Sequence, residues 1–65
     1  MSGTEPPKTW KDSSHRKRHL VGLTMDGGVQ IVVSRHWLAG RKRWHYEAET
    51  REDVDFQIKL TSRKI

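Results

Sequence analysis

From Leu20 onward, apolar and polar residues alternate with a period of two in four stretches separated by short polar segments. That period places successive side chains on opposite faces of a strand and predicts sheet with one apolar face. In the first stretch Val21, Leu23 and Met25 alternate with Gly22 and Thr24. Asp26-Gly27-Gly28 follows and predicts a hairpin, because glycine tolerates the positive φ angles of tight turns. A three-residue loop there sets Met25 opposite Val29, Leu23 opposite Ile31 and Val21 opposite Val33, all on one face.

The second stretch, Val29 to Leu38, adds Val29, Ile31, Val33, Arg35 and Trp37 to that face. A two-residue turn at Gly40-Arg41, with glycine in its first position, then pairs Trp37 with Trp44, Arg35 with Tyr46 and Val33 with Ala48. In the third stretch, Arg43 to Glu49, Trp44, Tyr46 and Ala48 point inward, and Arg43, His45, Glu47 and Glu49 outward. The polar segment Arg51-Glu52-Asp53 leads into a fourth stretch, where Val54, Phe56, Ile58 and Leu60 alternate with Asp55, Gln57, Lys59 and Thr61.

The pattern therefore predicts an all-β fold, a small four-stranded antiparallel meander. Its apolar face needs a cover. The sheet curls into an SH3-like or OB-like barrel, pairs with a second copy as a homodimer, or is covered by the N-terminal segment through Trp10. The alternative is an α+β fold of ββαβ order. In it Ser34 caps a helix that carries Trp37, Arg41, Trp44 and Ala48 along one side. Gly40 opposes that helix at about 1 kcal/mol, as do the aromatic and β-branched residues around it.

Residues 1–17 show no periodic apolar face and read as a flexible basic N-terminal arm, leaving 18–65 as a single small β domain. Trp10 stands apart in that arm, placed to dock on the body or to anchor a partner. With 65 residues there is room for one domain and a small core. Cysteine is absent, which excludes disulfides and thiolate metal sites. No apolar run approaches the ~20 residues of a membrane span, and the N-terminus lacks the apolar core of a signal peptide. A cytoplasmic protein with no membrane partner is the expectation, in a host cytoplasm or nucleus if the chain is viral.

Thirteen Lys and Arg against eight Asp and Glu give a net charge of +5. An up-and-down meander sorts that charge. Arg16-Lys17-Arg18, Arg41-Lys42-Arg43 and Arg63-Lys64 fall at one pole, and Asp26, Glu52 and Asp53 at the other. Trp37 and Trp44 adjoin the basic turn. Indole faces stack on unpaired bases while neighbouring cations hold phosphates. The expected interface is thus Arg16, Lys17, Arg18, Arg41, Lys42, Arg43, Trp37, Trp44, Arg63 and Lys64, with RNA or DNA as partner. Arg35 is out of place in an apolar row and marks either a cation–π contact or a wet region of the sheet.

His36 and His45 face each other on the polar side, near Glu47 and Glu49. No third ligand follows from the spacing, so no metal or other cofactor is expected. No nucleophile–base set, carboxylate pair or phosphate-cradling loop is legible, and an enzyme is not expected. The reading is a small regulatory or accessory nucleic-acid-binding protein. The alternative is a compact viral or phage module that docks on a host protein and inhibits or redirects it.

Overall fold

The computed structural model describes residues 5–62. Four strands form one antiparallel sheet in the order β1-β2-β3-β4: β1 Thr9–Lys11, β2 Lys17–Asp26, β3 Val29–Leu38 and β4 Arg43–Thr50. A helix, α1 Arg51–Thr61, follows and lies against the sheet. The sheet is an open meander, not a barrel, and residues 35–48 form a hairpin instead of a helix, so the ββαβ order does not occur.

The fourth strand of the meander is not the one expected. Its place is taken by β1, from within the segment read as an arm, which pairs Trp10 with Arg18. Asp12 builds the turn between β1 and β2: its Oδ1 accepts from the Ser14 and Arg16 amides at 2.8 and 3.0 Å. His15 takes a left-handed φ of 64° within this turn.

Residues 54–61, read as a strand, are helical. The Thr50 hydroxyl caps the helix by accepting from the Asp53 amide at 3.1 Å, and Glu52 and Asp53 place negative charge on its first turn. Val54, Gln57, Ile58 and Thr61 recur at helical spacing and make its sheet-side contacts. Val54 and Ile58 join the core, Gln57 bonds Trp10 and Glu49, and Thr61 donates to the Lys11 carbonyl at 3.1 Å. Phe56 and Leu60, which a strand would have placed beside Val54, are exposed.

The Gly27-Gly28 turn forms as expected, with φ of 58° and 84°, the two positive angles of a type I′ hairpin. It is a two-residue loop, pairing Asp26 with Val29. Leu23 consequently faces Val32 and not Ile31. A bulge between Leu20 and Gly22 then restores the pairing of His19 with Arg35. From β3 to β4 the register is the expected one, with Val33–Ala48, Arg35–Tyr46 and Trp37–Trp44 paired. Its turn spans four residues. The Arg41 amide donates to the Leu38 carbonyl at 3.1 Å, and Lys42, not Gly40, takes the positive φ, 53°.

On β3 and β4 the covered face is the opposite of the expected one, whereas the shifted β2 register keeps Leu23 and Met25 on the same side as Val32. Val32, Ser34 and His36 on β3 are buried, on the face that α1 and Trp10 cover. Ile31, Val33, Arg35 and Trp37 lie on the opposite, uncovered face. The core is small: Trp10, Val32 and Val54, flanked by Leu20 and Ile58. Full burial of Val32 and Val54 contributes roughly 1.5–3 kcal/mol each.

Candidate nucleic-acid interface

The meander places the start of β2 and the β3–β4 turn at one end of the sheet, because β2 and β3 run antiparallel with His19 opposite Arg35. Lys17, Arg41, Lys42 and Arg43 are exposed at that end. The turn is short and its cations cannot fold back onto a core. Asp26 and the helix start with Glu52 and Asp53 lie at the opposite end, where Asp26 pairs with Val29 and Thr50 with Ile31. Arg63 and Lys64 lie outside the described residues.

Arg18 and Arg16 are held by the fold. Arg18 is only 4% exposed. Its Nε donates to Asp12 Oδ2 at 2.8 Å, and its Nη1 pairs with Glu47 and approaches Ser34 Oγ. Arg16 is ion-paired with Asp12 at 3.4 Å, and its Nη1 lies 3.3 Å from His36 Nε2. Arg18 is therefore a structural cation, and Arg16 is partly committed to the same cluster.

Burial alone would push the Asp12 carboxyl up. The Arg16 and Ser14 amides and the Arg18 guanidinium outweigh it and hold the carboxyl below its ordinary value. Glu47 is lowered in the same way: burial pushes it up, and Arg18, with smaller help from His45 and His36, outweighs that. Arg18 is raised: burial opposes its charge, but bonds to Asp12 and Glu47 prevail. His36 is lowered, first by burial and then by the Arg16 and Arg18 charges. His36 and His45 do face each other as expected, with ring centroids 5.2 Å apart. His36 is buried beneath Arg16, however, and among the described residues no cluster of three or more His, Asp or Glu side chains could hold a metal.

The uncovered face carries the other half of the site. Trp37 and Trp44 meet edge to face with centroids 5.2 Å apart, and His19 reaches Trp44 from β2 at 5.4 Å. The Arg35 guanidinium sits 4.1 Å from the Trp44 ring centroid and donates to the Tyr46 hydroxyl at 3.2 Å. Trp37 and Tyr46 remain 49% and 53% exposed, so the cluster presents rings to solvent and does not bury them. Both tryptophans of the expected interface are thus together, beside the basic turn. Tyr46, His19 and Arg35 belong to the same cluster, although the sequence pattern did not mark them as site residues. The signal for them was Arg35 itself, because a cation amid an apolar row implies that the row faces water.

Comparison with known proteins returns no match: no family model fits the chain, and no curated protein or solved structure matches it.

Proposed function

We propose that this chain is a binding protein, not an enzyme, and that it holds RNA or DNA on the open face of its sheet. Unpaired bases stack on Trp37 and Tyr46, and phosphates are held by Lys17, Arg41, Lys42 and Arg43. The observation that supports this reading is the exposed Trp37–Trp44–Tyr46 cluster, ordered by Arg35, directly beside a cationic turn. Stacking tolerates any base and contributes about 1–3 kcal/mol per base, while the cations supply a salt-dependent term.

The test is fluorescence anisotropy of labelled single- and double-stranded oligonucleotides across salt. Replacing Arg41, Lys42 and Arg43 with Ser should weaken binding and flatten its salt dependence by about one unit of slope for each phosphate the variant no longer neutralises. Trp37→Ala should weaken binding to single strands more than to duplex. Glu52 and Asp53 to Ser, at the opposite end, should leave binding unchanged or slightly tighter. No binding at low salt refutes the proposal.

A second reading, a module that docks on a host protein, draws support from the far half of the molecule, where Val21, Leu23, Met25 and Val29 are exposed. Co-purification separates the two: nucleic acid for the first, a stoichiometric protein for the second.

A further inference from the structure

β4 is an edge strand of eight residues, hydrogen-bonded to β3 on one side only. It holds neither proline nor glycine, and its register against β3 is unbroken. Such an edge is a template for another strand. Its polar side chains are arranged along its length: Arg43 and His45 occupy the turn end, and Glu47 and Glu49 the helix end, all on the side opposite the Trp44–Tyr46 face. Arg43 makes no ion pair among the described residues. Glu49 accepts from the Gln57 amide at 2.9 Å and makes no ion pair among them either.

We propose that β4 pairs antiparallel with β4 of a second copy of this chain, about a two-fold axis at Tyr46. In that register Arg43 faces Glu49 of the second copy and His45 faces its Glu47, each pair occurring twice. On the other face Trp44 meets Ala48 and Tyr46 meets Tyr46. Centring the axis on Glu47 instead opposes two carboxylates, and centring it on His45 opposes two imidazoles. The edge is therefore self-complementary in the sense that a two-fold interface requires, and its charges select one register. The axis stands perpendicular to the sheet, so the two copies form one continuous eight-stranded sheet with both aromatic clusters on the same side. A strand edge without a large apolar core associates weakly, with a dissociation constant on the order of 10⁻⁵–10⁻⁴ M.

The experiment is analytical ultracentrifugation of the full chain, without nucleic acid, up to about 500 μM, well above that constant. The mass should rise from 7.6 kDa toward twice that value. Arg43→Glu and Glu49→Arg should each weaken association by about tenfold, and the double exchange should restore it. The chain lacks cysteine, which permits a second readout. Tyr46→Cys should form a disulfide-linked dimer on mild oxidation, since cross-strand Cα separations of about 4.5–5.5 Å suit a disulfide. Met25→Cys, similarly exposed beside the other hairpin, should stay monomeric. A chain that remains at 7.6 kDa throughout overturns the proposal. So does a dimer that the double exchange fails to restore, or one that cross-links as fast through Met25→Cys. Oligonucleotide binding takes no part in these readouts, so the nucleic-acid reading stands or falls separately.

Discussion

Replacing Arg18 with Met should destabilise the protein far more than any other removal of a single arginine charge. The Arg18 and Asp12 side chains are 5% and 4% exposed, and they meet at 2.8 Å. Met keeps most of the apolar stem but removes the guanidinium. Asp12 is then left charged in a site that water barely reaches, with only the Ser14 and Arg16 amides and the longer Arg16 ion pair as compensation. Stranding one member of a buried pair costs about 3–5 kcal/mol. At about 0.05–0.15 kcal/mol per residue, that is a large part of what a chain this short possesses. Glu47 is 33% exposed, and its loss leaves Arg18 still paired with Asp12, so Glu47→Gln should cost only about 1 kcal/mol. Urea titrations followed by circular dichroism and tryptophan fluorescence measure both. Asp12→Asn combined with Arg18→Met should be less destabilising than the sum of the single changes by about 2 kcal/mol, because the neutral amide no longer needs the cation. A cost for Arg18→Met below about 1 kcal/mol, or strict additivity in the double variant, would show that the pair does not hold the turn onto the sheet. Arg18 would then be available as a phosphate ligand after all.

Stability should also fall with pH in two steps. The lowered pKa of His36 means that the unfolded chain binds its proton first, so stability drops as pH falls below about 6.5 and on through the folded-state value. Asp12 and Glu47, also lowered, contribute stability that is present above about pH 4 and is lost below it as they protonate. Urea midpoints from about pH 8 to about pH 3 test this, and His36→Gln should remove the upper step alone. Trp10→Ala should cost about 3–5 kcal/mol by thermal or urea melting, because Trp10 is buried in the core and its indole Nε1 donates to Gln57 Oε1 at 3.1 Å. A cost under about 1 kcal/mol would mean that β1 does not dock in solution. Gly28→Ala should cost roughly 1–2 kcal/mol by the same melts, purely through its positive φ of 84°, since an added Cβ meets no atom.

The chain's own pattern determined the features that depend on neighbours a few residues apart. The Gly27-Gly28 turn follows from the backbone freedom of glycine. The β3–β4 hairpin follows from alternation on both sides of a short turn, and its pairs Trp37–Trp44, Arg35–Tyr46 and His36–His45 fall where turn geometry puts them. The clustering of Lys17 with Arg41, Lys42 and Arg43 follows from up-and-down connectivity alone. What failed did so where the local signal was degenerate. Residues 54–61 satisfy a period of two, yet Val54, Gln57, Ile58 and Thr61 also satisfy a helical period. The Thr50 cap and the acidic first turn favour the helix before any packing is considered.

Only tertiary structure decided which face of the sheet is covered. β3 carries apolar residues on both sides, Ile31 and Val33 on one and Val32 on the other, so alternation cannot say which row turns inward. The bulge near Val21 and the docking of Trp10 and α1 settle it by burying Val32, Ser34 and His36. That choice draws Arg18 into the interior, where it neutralises Asp12, and leaves Trp37, Trp44 and Tyr46 facing water. Both outcomes rest on interactions between residues far apart in the chain, such as Trp10 with Gln57 and Arg18 with Glu47, whose pairing no local periodicity encodes.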